Sequence, residues 1–197
     1  MKSSYLRAGA ALACAAALSA CGGSSGELLL GGVYSGVTKA GLVLTNGDGN
    51  RLEIPPVAGG NGTGNFYFNE LVGTDDEYDV KVAGTPDNVS GCEVVNGKGR
   101  AAFNITSVQV LCTFKKHALK GSVANLNGDG LELVNGSDRV VVPAGATEFT
   151  LAEVPEDAAY GVAVLKQPSS GQTCTVANGS GTMGKNDITN VAITCAP

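Results

Sequence analysis

The phrase CEVVNGKGR at Cys92–Arg100 returns as CTVANGSGT at Cys174–Thr182, 82 residues later. A repeat of this kind sets the number of units a chain can fold into, so it comes before any local reading. The match extends well beyond the phrase. Gly41-Leu42-Val43-Leu44-Thr45-Asn46-Gly47 corresponds to Gly130-Leu131-Glu132-Leu133-Val134-Asn135-Gly136, and Leu52-Glu53-Ile54-Pro55 to Val140-Val141-Val142-Pro143. Phe66-Tyr67-Phe68 corresponds to Phe149-Thr150-Leu151, and Tyr78-Asp79-Val80-Lys81-Val82 to Tyr160-Gly161-Val162-Ala163-Val164. Each copy closes alike, with Ile105-Thr106-Ser107-Val108 running to Cys112 and Ile188-Thr189-Asn190-Val191 running to Cys195. The order is kept and gaps fall only between apolar runs. Two homologous modules follow, at 32–114 and 115–197.

Each module reads as β. Leu42 and Leu44 alternate with other residues, as do Tyr78, Val80 and Val82, and period two between turn-formers is the strand signal. Asn46-Gly47, Asn96-Gly97, Asn135-Gly136 and Asn178-Gly179 supply positive-φ turns. No segment after the leader carries a helical stripe. Gly is plentiful, at 29 of 197, yet hydrophobic residues hold at 43%, which suits short strands and tight turns rather than disorder. Six or seven strands per module predict an all-β chain of two tandem antiparallel β-sandwiches of immunoglobulin-like type. Tryptophan is absent, so neither is an antibody-type domain.

The cysteines follow the repeat. Four of them allow three connectivities, and the repeat selects Cys92 with Cys112 and Cys174 with Cys195, because each module brings its own pair. Alternation agrees: Cys92 shares a face with Val94, and Cys112 with Val110 and Val108. Cys174 goes with Val176, and Cys195 with Ile193 and Val191. All four thiols are expected to point into the cores from the last two strands, brought together by the NGxG turn. The alternative is four buried free thiols.

The N-terminus speaks to location. Lys2 and Arg7 precede an apolar stretch from Ala8 to Leu18, too short to span a bilayer, which reads as a secretory signal. It ends Leu18-Ser19-Ala20-Cys21, which resembles the lipobox of bacterial lipoproteins. The resemblance implies removal of residues 1–20, Cys14 included, and lipidation of Cys21. Gly22-Gly23-Ser24-Ser25-Gly26 then reads as a tether, with the anchor and tether spanning 21–31. Gly22 is not the aspartate that retains lipoproteins at the inner membrane in enteric bacteria, so the expected location is the outer membrane, on its periplasmic or surface face. Removing residues 1–20 takes away two bases and no acids, leaving 11 basic and 18 acidic residues and a net charge of −7. That balance argues against nucleic acid as a partner.

The recurring pattern also resembles repeat modules of bacterial envelope lipoproteins. The second copy carries Gln167-Pro168, Gln172-Thr173-Cys174 and Thr189-Asn190-Val191. The first departs from it with Thr85-Pro86, Ser90-Gly91-Cys92 and Thr106-Ser107-Val108 and looks like a diverged copy. The resemblance implies a β module on an exported protein and assigns no chemistry.

Catalysis finds little support. His117 is the one histidine, in Lys115-Lys116-His117 between the modules, and is expected to be a solvated surface residue. No Cys-x-x-Cys pair offers a zinc site. Asn125-Leu126-Asn127-Gly128-Asp129-Gly130 resembles the start of a calcium loop, but Gly136 stands where a bidentate glutamate is needed. Asp75-Asp76-Glu77 is not reproduced in full in the second copy. Solvated turns are the expectation for both, with no metal and no cofactor. Asn-x-Ser/Thr triplets at Asn61, Asn88, Asn104, Asn135 and Asn178 read as turn composition. The chain is thus expected to be a non-enzymatic, lipid-anchored envelope protein with a structural or protein-interaction role. Its partners are the membrane through Cys21 and an envelope protein or glycan. The alternative is a carbohydrate-binding or adhesive module. For that role Tyr34 and Tyr67 are the expected exposed rings, since Phe66, Phe68, Tyr78, Phe149 and Tyr160 hold core-type positions.

Overall fold

The structure, a computed structural model, describes residues 26–58 and 61–197. Cys14, the Leu18–Cys21 motif and Gly22–Ser25 lie outside the described residues. Among the described residues every regular element is a strand. The first module holds β1 (Glu27–Leu28), β2 (Leu30–Ser35), β3 (Val43–Asn46), β4 (Asn50–Glu53), β5 (Gly64–Tyr67), β6 (Val72–Gly73), β7 (Glu77–Gly84), β8 (Val89–Val95), β9 (Lys98–Arg100) and β10 (Ile105–Phe114). The second holds β11 (Lys116–Ala124), β12 (Leu131–Asn135), β13 (Asp138–Val142), β14 (Glu148–Pro155), β15 (Ala159–Lys166), β16 (Thr173–Ala177), β17 (Ser180–Thr182) and β18 (Ile188–Ala196).

Each module is a sandwich. Sheet β5-β2-β10-β8 faces β4-β3-β7-β9, and β14-β11-β18-β16 faces β13-β12-β15-β17. The inward residues of each facing pair close one core. Leu42, Leu44 and Val80 meet Leu30, Phe66, Val108 and Val110 in the first module. Leu131, Leu133 and Val162 meet Leu119, Phe149, Val191 and Ile193 in the second. Register recurs with the sequence: Gly32 lies opposite Phe66 and Val108, and Gly121 opposite Phe149 and Val191. One pairing per module is parallel, between the first long strand and the last. A parallel pair needs a long connection, and here the rest of the module supplies it.

Two expectations change. The tether does not run to residue 31. Glu27 and Leu28 already pair with Gly73 and Val72, and Leu30 is fully buried, because Leu28-Leu29-Leu30 is an apolar run with a core within reach. The NGxG turn, in turn, is not a hairpin between the two cysteine strands. After β8 the chain crosses to the opposite sheet, where β9 pairs with β7, and only then returns as β10. Asn96 takes φ 56° and the Val80 amide donates to the Gly97 carbonyl at 2.7 Å. Asn178 takes the same φ, and the Val162 amide donates to Gly179 at 2.6 Å. A side chain at Gly97 would meet Val94 Cγ1 at 2.5 Å, and one at Gly179 would meet Val176 Cγ1 at 2.6 Å. The glycine is there for the tight crossing.

Candidate functional site

Two of the three buried polar side chains among the described residues, Asn88 and Glu156, lie where the modules meet. β10 ends at Phe114 and β11 opens at Lys116, leaving Lys115 alone between them. Its amide donates to the Asn88 carbonyl at 3.0 Å, and its carbonyl accepts from the Glu156 amide at 2.8 Å. One residue therefore ties both modules by backbone.

Side chains complete the joint. Asn88, fully buried, donates through Nδ2 to Thr38 Oγ1 at 2.9 Å and to Asp157 Oδ2 at 3.1 Å. Lys39 Nζ lies 2.8 Å from Asp157 and 3.5 Å from Glu156. Lys185 reaches back to Asp87 at 2.7 Å. The hydrogen bond with Asp157 raises the pKa of Lys39 above the ordinary lysine value, against a smaller cost of desolvation. The hydrogen bond with Lys185 holds Asp87 below the usual carboxylate range and raises Lys185 in turn. Glu156 and Asp157 reach this position on the tight turn between β14 and β15, where Asp157 takes φ 67°. Asp75 takes the same φ at the equivalent turn of the first module.

Beside these pairs runs a cleft of about 560 Å3, lined among others by Thr38, Lys39, Asn61, Phe114, Glu156 and Asp157. Among the described residues three buried side-chain polar atoms have no hydrogen-bond partner: Asn88 Oδ1, His117 Nε2 and Glu156 Oε1. All three belong to this joint, where Glu156 Oε1 has Lys39 Nζ at 3.5 Å and His117 Nε2 has Glu156 Oε2 at 3.6 Å, both beyond hydrogen-bonding geometry. The expectation of a solvated His117 is overturned. Its side chain is mostly buried, with Nε2 3.6 Å from Glu156 Oε2. There is no linker to expose it: Lys116 and His117 pair with Pro155 and Val154 as part of β11. Sequence reasoning passed over Glu156 and Asp157 and saw Asn88 only as turn composition; Asn88 finds its partners Thr38 and Asp157 across 50 and 69 positions of chain.

The remaining candidates fall into place separately. Bridges join Cys92 to Cys112 and Cys174 to Cys195, each between residues directly opposite across a strand pair. The second bridge is buried, the first only partly. Cys21 lies outside the described residues. Tyr67 is 50% exposed, but Tyr34 is not an exposed ring: it is 5% exposed and packs into the first core. β2 turns Leu30, Gly32 and Tyr34 inward and Val33 outward, and Gly64, opposite Tyr34 on β5, leaves room for the ring: a Cβ there would sit 2.6 Å from Tyr34 Cζ. In the Asn125–Gly130 loop, Gln172 accepts from the Asn127 amide and donates to the Asn125 carbonyl, while Asp129 Oδ1 accepts from the Ala144 amide at 3.0 Å. These oxygens serve the fold. Arg100 donates to the Asp75 carbonyl and lies 3.7 Å from Glu77. Among the described residues no three His, Cys, Asp or Glu side chains converge as a metal site, and no helix is long and apolar enough to cross a membrane.

No family model matches the chain, and no curated protein matches it. Solved structures with similarity include two major pilin proteins of Streptococcus pyogenes. T-13 aligns at 11% identity and TM-score 0.31 over 87% of this chain and 97% of its own. T3.2 aligns at 11% identity and TM-score 0.27 over 86% of this chain and 97% of its own. These superpositions are loose, and neither fold nor function is taken from them.

Proposed function

We propose that the chain is a lipid-anchored cell-envelope protein of the outer membrane that works without catalysis, as a structural or protein-interaction module. The observation that carries this reading is Leu18-Ser19-Ala20-Cys21 ahead of a Gly/Ser stretch. The rest is in keeping with it. Among the described residues paired strand structure begins at Glu27, six residues after Cys21. Two cystine bridges suit an oxidising compartment. The joint at Lys115 holds two sandwiches against one another, which suits a spacer or a binding platform.

Replacing Cys21 tests the anchor. A single acyl chain holds a protein to a bilayer only marginally, so stable anchoring needs at least two chains or signals. The diacylglyceryl group on a lipobox cysteine meets that need. Cys21→Ser is expected to lose the acyl mass and leave the membrane fraction, or to accumulate as the uncleaved precursor. Maturation and fractionation like wild type would end the reading. The carbohydrate-binding alternative loses one of its two expected rings with Tyr34 in the core. Glycan arrays probed with the soluble body are expected to retain nothing; specific retention of a saccharide would favour the alternative.

A further inference from the structure

The same end of the module recurs twice and is built differently each time. In the second module that end bears Ala118, Thr150, Glu153 and Asn186. The first module's counterparts are Leu29, Tyr67, Leu71 and Phe103. Register and hydrogen bonding fix the correspondence. The Leu29 amide donates to Asn104 Oδ1 and the Ala118 amide to Asp187 Oδ1, both at 2.9 Å. Phe103 and Asn186 immediately precede those two acceptors. Gly31 pairs with Tyr67 as Lys120 pairs with Thr150. Leu71 precedes Val72, whose partner is Leu28, and Glu153 precedes Val154, whose partner is His117.

The polar copy of this end has a use. It carries Glu156, Asp157 and Lys185, and those side chains meet the first module. The apolar copy is exposed: Phe103 at 76%, Tyr67 at 50%, with Leu29 and Leu71 each more than two-fifths exposed. Neighbouring apolar side chains left in water at one end of a domain mark an interaction surface. What lies nearest is set by the chain. Five peptide steps separate Cys21 from Gly26, and a fully extended chain spans about 18 Å over that length. A lipid on Cys21 therefore keeps this end at the bilayer surface.

We propose that Phe103, Leu29, Leu71 and Tyr67 form a bilayer-docking face, by which the first module rests on a zwitterionic lipid surface beside its anchor. This rests on the lipid-anchor reading. Phe and Leu would enter the acyl boundary and the Tyr67 hydroxyl would remain at headgroup level, the ordinary place of an aromatic with a polar tip. Glu27, Glu70, Asp75 and Asp76 flank the face, with Arg100 as a nearby base. That rim opposes an anionic surface, which is why the lipid is zwitterionic. The ionic joint points the second module's copy at protein, and the apolar end points the first module's copy at membrane.

The chain has no tryptophan, so a single one reports cleanly. Full-length lipidated Phe103→Trp and Val141→Trp would be placed on phosphatidylcholine vesicles carrying brominated acyl chains. Val141 is a control, 64% exposed on the second module. The indole of Phe103→Trp is expected to shift to the blue and lose most of its emission to the bromines, and that of Val141→Trp to emit as in water. Added phosphatidylglycerol is expected to reduce the quenching at low salt, and Leu29→Ser with Leu71→Ser to abolish it. Water-like emission from Phe103→Trp, in protein whose N-terminal peptide carries the acyl mass, would overturn docking alone and leave the face to a protein partner. Equal quenching of the two variants, or stronger quenching on anionic lipid, would also overturn it. Absence of the acyl mass would overturn the anchor reading and this inference with it.

Discussion

Gly121 shows how a single position is dictated by its surroundings. The final strand crosses it closely: a Cβ there would sit 2.6 Å from Phe149 Cε1 and strike the Val191 carbonyl oxygen. Gly32 meets the Val108 carbonyl in the same way. Gly121→Ala should cost on the order of 1–3 kcal/mol, the usual range for overpacking. Gly161 has open space where its Cβ would be, so Gly161→Ala should fall within about 0.5 kcal/mol of wild type. Urea titration of both variants checks the contrast; equal effects would show that the close crossing is not what selects glycine. The recurring asparagines are also answered at this scale. Asn46 and Asn135 accept through Oδ1 from the amides of Asp79 and Gly161, both at 2.8 Å. Asn96 and Asn178 donate to the carbonyls of Ser107 and Asn190. They serve as turn-makers, as the sequence led one to expect of the triplets at Asn135 and Asn178.

At the scale of elements, each cystine joins the strands that flank the sheet crossing. Closing a loop of about twenty residues is worth roughly 3 kcal/mol in the chain-entropy account. Replacing Cys174 and Cys195 together by alanine should remove about that much, read as a lower denaturation midpoint with a slope no smaller than wild type, because the freed unfolded chain exposes more surface. The two bridges differ in burial, with Cys174 and Cys195 sealed in the core and Cys92 and Cys112 only half covered. Access governs thiol exchange. A mild reductant should therefore open Cys92–Cys112 first, seen by timed alkylation and peptide mapping. The reverse order would mean that local unfolding, rather than burial, controls access.

For the whole molecule the joint decides behaviour. The pairs Lys39–Asp157 and Lys185–Asp87 are exposed, while Glu156 beside them is buried. Exposed pairs contribute little each and are screened by salt. Asp87 has a depressed pKa through Lys185, so its contribution is fully present above the ordinary carboxylate value and is lost as pH falls through its lowered one. Lys39 and Lys185 have raised values, so theirs is present below the ordinary lysine value and lost as pH rises through the raised one. Docking should be tightest between about pH 5 and pH 9. Lys39→Ala with Lys185→Ala should widen the small-angle scattering envelope at pH 7 while both modules keep their unfolding transitions. An unchanged envelope would assign the joint to the Lys115 backbone ties and the Asn88–Asp157 hydrogen bond, without the lysines. Each core draws only on its own module, so residues 115–197, which keep the Lys115 carbonyl for Glu156, should unfold cooperatively on their own. A disordered spectrum under oxidising conditions would contradict this.

Strand content, the sandwich class and the bridges between Cys92 and Cys112 and between Cys174 and Cys195 were readable without coordinates. They follow from short-range patterns: period two, turn residues, and a repeat that assigns each cysteine a partner. The same logic could not foresee that β9 belongs to the opposite sheet, because an Asn-Gly turn within a hairpin and one at a crossing have the same local chemistry. Nor could it place Tyr34, since the room for its ring comes from Gly64 and from the strands pairing with β2 on either side. His117 and Asn88 were hidden for a related reason. Burial at a joint depends on residues from two modules meeting in space, and Asn88 finds Asp157 across 69 positions of chain. Local sequence determines which segments become strands and where they turn. Only the tertiary structure decides which polar side chains lose their water, because that depends on surfaces brought together after the strands have formed.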